Sequence, residues 1–270
     1  MLELSLITEQ SLPIELAGLT PDWARDKSLT EIARLPILHG NQRREMGELF
    51  KISGDPADEV WKLHGNLSAV HRLGVGMRSG RIEVHGPIGR HLGAEMTGGE
   101  IVASEDVGDF AGCQMRGGKI RIAGDAGDYL GGAYAGSSRG MRGGTITVRS
   151  NAGREVATCM RRGLIAVAGS MGPFAAQEMR AGTLVVLGQA AGPIAPGMRR
   201  GTVLLGANPE SVLPTYLSGG SVRPVVVRML LLSLQRDGFP IPAKLLEGGY
   251  DLYHGDAVTL CRGELLIARN

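Results

Sequence analysis

Seven methionines set a period in this chain. Met77, Met96, Met115, Met141, Met160, Met179 and Met198 are separated by 19, 19, 26, 19, 19 and 19 residues, so a single interval departs, by seven. Three positions after each comes a glycine: Gly80, Gly99, Gly118, Gly144, Gly163, Gly182 and Gly201. A fixed period of this length restricts the fold to copies of one small unit, stacked so that neighbours bury what no unit can bury alone.

With each Met as position zero, positions five and seven read Ile82/Val84, Ile101/Ala103, Ile120/Ile122, Ile146/Val148, Ile165/Val167, Leu184/Val186 and Val203/Leu205. Alternating, largely β-branched residues predict a short strand with one buried face. A second apolar position falls at fifteen: Leu92, Ala111, Leu130, Ala175 and Ile194. Glycine recurs at twelve (Gly89, Gly108, Gly127, Gly153, Gly172), as expected of corners. Glycine totals 42 of 270 residues and 43% of the chain is hydrophobic, so the glycines belong to turns around a packed interior, not to a disordered chain.

These features predict a mainly β protein: a single-stranded, right-handed parallel β-helix of about seven to nine coils, stacked about 4.8 Å apart. One coil burying about four large side chains gains roughly 1.5–3 kcal/mol for each. Ordering its backbone opposes this by about 1–2 kcal/mol per residue, so coils must come in stacks. Helix–turn–helix repeats are excluded, because 19 residues with three or four glycines cannot hold two helices.

Three segments are expected: an N-terminal extension over 1–45, the β-helix over 46–212, and a C-terminal helix and strand capping the stack over 213–270. Phe50–Gly54 and Trp61–Gly65 echo the strand-then-glycine pattern at uneven spacing. Thr20-Pro21 reads as a helix start with Thr as cap, and Ser28-Leu29-Thr30-Glu31 as a capping box. Val225–Arg236 reads as a helix that covers the open apolar end, and Glu264–Ile267 as a last strand.

The net charge of +2 gives no reason to expect nucleic acid or membrane binding. The first ten residues have no secretory pattern, and the longest apolar run, Val225–Leu234, contains Arg228 and is too short for a bilayer. Cys113, Cys159 and Cys261 form no C-x-x-C pair. A reducing, cytoplasmic setting is therefore expected, without a disulfide framework or cysteine-bound metal.

Charge is patterned along the repeat. The residue after each Met is Arg78, Thr97, Arg116, Arg142, Arg161, Arg180 and Arg199, so stacking sets five consecutive arginines in one column, with Arg162 and Arg200 beside it. Unit charges at that spacing repel by roughly 1 kcal/mol in water and more at low dielectric. Their stems either just cover the coil edge, or the column is an electropositive face for an acidic partner or carrier. Asp106 and Asp125 share position ten, and Asp109 and Asp128 share position thirteen. These four carboxylates suit either calcium in a carbohydrate-active enzyme or a salt-bridge ladder with Arg90 and Arg154; pairing is the simpler reading. The six histidines read as surface or corner residues, and no serine or cysteine has a nucleophile signature. The insertion between Asp128 and Met141 is expected to loop out with Tyr134 near its tip, as a partner contact.

The unit G-x-x-G-x-x-x-G-x-x-M-R-G-G-x-I-x-V, read from Gly124 through Val148 around the insertion, resembles one β-helix family. It is shared by the C-terminal domain of the glutamate synthase large subunit and by the C-subunit of formylmethanofuran dehydrogenase. Leu35-Pro36-Ile37-Leu38-His39-Gly40-Asn41, Gly47–Ile52, and the tail around Gly255-Asp256 and Arg262–Leu266 narrow the resemblance to the C-subunit branch. A glutamate synthase-type domain is expected inside a much larger chain, and this one is read as complete at 270 residues.

The resemblance implies one of two settings. In methanogens it is a tungsten or molybdenum dehydrogenase. In methylotrophic bacteria it is a formyltransferase/hydrolase complex of four subunit types, which passes the formyl group of 5-formyl-tetrahydromethanopterin to a methanofuran-like carrier and releases formate during formaldehyde oxidation. The balance of 24 Arg to 5 Lys, pointing to a GC-rich genome, favours the second. In both, this chain is expected to be a non-catalytic scaffold. Its implied partners are amidohydrolase-like, formyltransferase and dehydrogenase-like subunits, with carrier and metal ions in those partners. Such carriers have glutamate-rich tails, which Arg116, Arg142, Arg161, Arg180 and Arg199 are suited to attract.

Overall fold

The structure, a computed structural model, describes residues 1–9 and 11–269; Gln10 and Asn270, in the two terminal segments, lie outside it. The chain is mainly β, dominated by one 13-stranded, mostly parallel sheet. Consecutive repeat strands are neighbours: Arg81–His85, Glu100–Ala103, Lys119–Ile122, Arg142–Val148, Arg162–Val167, Thr183–Val186 and Arg200–Leu205 pair in parallel in that order. The register aligns Ile82, Ile101, Ile120, Ile146, Ile165, Leu184 and Val203, all fully buried. Parallel bridges form a second column through Leu67, Ile88, Val107, Ala126, Ala152, Met171 and Ala190. Each repeat is thus hydrogen-bonded to the next along more than one side.

The Met–Gly pair has a steric cause. A Cβ on Gly99, Gly118, Gly144, Gly163, Gly182 or Gly201 would stand 2.5–2.9 Å from the Cε of the anchor Met one repeat earlier. These glycines also have φ between +81° and +109°, where a side chain is strained. The fully buried methionine methyl takes the space that only glycine leaves open.

The sheet ends differ from the sequence expectation. Strand Leu2–Leu6 enters it, parallel to Val60–His64 and antiparallel to Phe50–Gly54, which forms one edge. Phe50–Gly54 is therefore no copy of the repeat strand. At the other end Arg262–Ala268 pairs in parallel with Arg200–Leu205, extending the expected last strand by two residues before it and one after. Tyr250–Gly255 and then Leu217–Val222 follow in antiparallel order. The capping box at Ser28 and Glu31 forms, whereas Thr20 stands at its N-cap position without a side-chain cap bond.

Helix Val225–Arg236 forms, but it covers the flank of the sheet and not its end. Val227, Leu231 and Leu234 pack with Ala166, Val185, Leu204 and Leu266 in a second core outside the repeats. Burial explains this placement, since outward position six is apolar there (Ala166, Val185, Leu204), as is Leu164 at position four. In the earlier repeats these positions are mostly charged (Arg81, Glu83, Glu100, Lys119 and Arg121, with Val102 the exception), and their flank is solvated. Among the described residues no helix is long and apolar enough to cross a membrane.

Candidate functional site

The five arginines align because their backbones do. The amides of Arg116, Arg142, Arg161, Arg180 and Arg199 donate to the carbonyls of Met96, Met115, Met141, Met160 and Met179 at 2.7–2.8 Å. Five side chains of one sign therefore leave the same edge in succession. Arg116 and Arg199 are exposed, while Arg142, Arg161 and Arg180 are half-buried. Among the described residues none of the five guanidinium groups has a carboxylate within ion-pair distance. On the solvated flank, by contrast, Glu83 pairs with Lys62 at 3.6 Å and Arg81 at 2.7 Å, and Glu100 pairs with Arg81 and with Arg121 at 3.3 Å.

The centre of the column is the least satisfied part. Nε of Arg142 and of Arg161 is shut off from solvent without a hydrogen-bond partner, although the guanidinium tips reach water. Such a donor calls for an acceptor. Desolvation, and then the charges of Arg116, Arg139 and Arg161, lower the affinity of Arg142 for its proton; Glu95 opposes them only in part. Arg139, contributed by the insertion, is a member of this cluster that the repeat pattern concealed. Its signal in the sequence was its place as the only arginine of the insertion, two residues before Met141.

The insertion does not loop out. Tyr134 is half-buried, its ring centroid 5.6 Å from that of His91 and 5.9 Å from that of Phe110. His91, Phe110 and Tyr129, at equivalent repeat positions, stack at 5.0 and 4.7 Å and give Tyr134 a platform to fold onto. Burial pushes the Tyr134 phenol up to about 12 and the neighbouring Cys113 thiol up to about 12. Cys113 Sγ donates to the Gly132 carbonyl at 3.1 Å, so it is a packed thiol and not a nucleophile. Gln114 Nε2 donates to Ser137 Oγ at 3.2 Å, and the Gly140 amide to the Cys159 carbonyl at 3.0 Å, tying the insertion down on both sides.

The aspartates do backbone work. Asp106 Oδ1 accepts the Asp125 amide at 2.8 Å, Asp125 Oδ1 the Asn151 amide at 2.8 Å, and Asn151 Oδ1 the Ser170 amide at 2.9 Å. Likewise Asp109 Oδ1 accepts the Asp128 amide and Asp128 Oδ1 the Arg154 amide, both at 2.9 Å. Among the described residues the expected side-chain ladder is present only at Asp128–Arg154, at 3.0 Å. One oxygen of each of the four aspartates is thereby engaged with the backbone. Among the described residues no three His, Cys, Asp or Glu side chains are grouped to hold a metal ion. His71 departs from the surface reading. It is buried, its Nδ1 accepts the Arg90 amide at 3.0 Å, and desolvation, then Arg90, lowers its pKa.

Comparison with known proteins bears on what such a site serves. No family model matches the sequence. The C-subunit of the molybdenum-containing formylmethanofuran dehydrogenase 1 of Methanothermobacter thermautotrophicus is 38% identical over 82 residues, 30% of this chain and 20% of that protein. The C-subunit of the tungsten-containing formylmethanofuran dehydrogenase 2 of the same organism is 35% identical over 88 residues, 31% of this chain and 33% of that protein. The matched stretch thus spans a fifth to a third of the length of these relatives. A chain in the crystal structure of the formyltransferase/hydrolase complex from Methylorubrum extorquens, determined with methylofuran, is 35% identical. It superposes with a TM-score of 0.93 over 99% of this chain and 100% of that one.

Proposed function

The chain belongs to the family that contains the C-subunit of formylmethanofuran dehydrogenase and its counterpart in the formyltransferase/hydrolase complex, and we propose that it is the scaffold component of such a hydrolase complex. In this reading the complex is cytoplasmic and converts 5-formyl-tetrahydromethanopterin, by way of a formyl-methanofuran-type carrier, to formate. Catalysis and metal ions belong to the partner subunits. The observation that carries the reading is the end-to-end likeness to a chain of the hydrolase complex, with neither partner left uncovered. The dehydrogenase setting is the second reading, favoured by relatives that match over a third of this chain or less.

We read the frame as a right-handed parallel β-helix over 46–212, with an extension over 1–45 and a cap over 213–270. Parallel pairing at an offset of 19, lengthened to 26 across the insertion, supports the β-helix. On this frame Arg116, Arg142, Arg161, Arg180 and Arg199 hold the acidic tail of the carrier or an acidic partner face, and Tyr134 fixes the insertion beside them. The orphaned Nε atoms of Arg142 and Arg161 fit a carboxylate-rich ligand. This chain's part is to bind and orient; the chemistry lies elsewhere.

Purification of the tagged full chain from its own cells tests the assignment. Formyltransferase and amidohydrolase-like subunits should accompany it. A molybdopterin-containing subunit in their place would move the chain to the dehydrogenase setting, and recovery of the chain by itself would contradict both.

A further inference from the structure

Helix Val225–Arg236 buries one side and leaves another apolar side in water. Val225, Val226 and Met229, on its first two turns, are 72, 76 and 65% exposed. Beside them lies a cavity of about 380 Å³ walled by Val225, Leu245, Leu246 and Tyr250 and bordered by Arg223 and Arg228. A second cavity of about 490 Å³ shares Arg223, Glu247 and Gly248 with it and is lined by Lys244 and Arg269. Together they make one groove with an apolar wall and a basic rim.

Most of the charge on that rim is unpaired. Arg269 is held by Asp251 at 3.5 Å, but among the described residues Arg223, Arg228 and Lys244 have no carboxylate within ion-pair distance. Glu247 is the single acid lining the groove. An exposed apolar patch ringed by charges of one sign marks a contact for a partner of the opposite sign.

We propose that this groove docks an acidic peptide segment of a partner protein. One large apolar side chain enters between Val225 and Leu246, and neighbouring carboxylates lie over Arg223, Arg228 and Lys244. A second copy of this chain is a poor occupant, because self-pairing would set these cations against each other. A bilayer is a poor occupant too, because the surface is concave and offers three apolar side chains where an interfacial helix needs a long apolar face. The site is separate from the arginine column, which lies along the repeats.

The proposal rests on the reading that the chain works inside a multi-subunit complex, and one experiment separates the two. A photo-crosslinking benzoylphenylalanine is placed at Met229 of the tagged full chain, the complex is irradiated as purified, and the crosslinked peptide is identified by mass spectrometry. The expected crosslink joins a partner segment with carboxylates flanking a large apolar side chain. Arg223→Glu with Arg228→Glu should lower its yield by about tenfold or more while the melting temperature stays unchanged. A crosslink to a second copy, to lipid or to a segment without carboxylates overturns the proposal, as does a yield indifferent to charge reversal. If no other protein accompanies the chain, the scaffold reading fails, and the groove is probed with a fluorescein-labelled peptide holding Leu-Phe between two Glu-Glu-Glu runs. Binding weakened about tenfold in the double variant supports the groove; equal binding, or none, overturns it.

Discussion

The aspartate columns and the arginine column obey the same repeat arithmetic and end in opposite states. Asp106, Asp109, Asp125 and Asp128 each give an oxygen to a backbone amide of the following repeat, so each serves the frame as an acceptor. The arginines have satisfied amides, but Arg142 and Arg161 retain a buried Nε without an acceptor. Side-chain length explains the difference. A carboxylate on one methylene reaches the next repeat, roughly 4.8 Å away, and stops there. A guanidinium on a three-methylene stem is carried past a backbone whose carbonyls already accept the arginine amides. One column therefore stabilises the frame, and the other is the one we propose for a ligand.

Charge reversal in the arginine column should separate the two roles most widely. Arg161→Glu with Arg180→Glu removes two charge-assisted contacts of about 1.5–3 kcal/mol each, so affinity for an oligoglutamate should fall by about 100-fold or more. Calorimetric titration measures this, and thermal melting should show the fold intact. Unchanged affinity would reduce the column to a stack of corner residues.

The converse variant is Asp125→Ala. It leaves the Asn151 amide without its acceptor and removes partners of Asn151 Nδ2 and the Ser150 hydroxyl, so stability should fall by about 1–2 kcal/mol. Asp125→Asn, which keeps an acceptor oxygen, should lose less. Denaturant unfolding reads both, and oligoglutamate affinity should not move in either. A smaller effect of opposite sign is expected for Arg161→Met. Relief of like-charge repulsion should stabilise the chain by up to about 1 kcal/mol at low salt, and the gain should vanish at molar salt. A loss of stability at both salt levels would show that Arg161 already has a partner.

The smallest effect is in pH. The Ser150 hydroxyl and then the Asn151 amide hold the Asp125 carboxyl below its ordinary range. The stability it contributes is present above the unfolded pKa of about 3.9 and is lost as pH falls through the lower folded value. Asp125→Asn should therefore flatten the acid limb of a melting-temperature profile and leave the limb above pH 5 parallel to wild type.

Much of the frame was legible because the period imposes it. Met77 to Met198, their glycines and the aligned Ile82 to Val203 column follow from spacing, and the large parallel sheet pairs them as spacing requires. Strand Leu2–Leu6 was not legible: it is five residues long, and its partners begin about fifty residues away. The flank position of helix Val225–Arg236 was legible in principle, since Leu164, Ala166, Val185 and Leu204 break the polar pattern of the outward positions. Of the candidate site, the arginine alignment was written in the repeat. The fold-back of Tyr134 was not, because it depends on the ring stack of His91, Phe110 and Tyr129 across three repeats. The amide bonds of the aspartates were hidden too, since spacing shows which residues are neighbours but not which atoms meet.

The central claim is that the frame uses its aspartates as acceptors for its own amides and leaves its arginines for an acidic ligand. Titration calorimetry of the full chain with an oligoglutamate, at low and at moderate salt, tests it most directly. The account predicts binding that weakens as salt rises, is abolished by Arg142→Glu with Arg161→Glu, and survives Asp125→Asn. Binding that the arginine variants leave intact, or no binding to the folded wild-type chain, would contradict it.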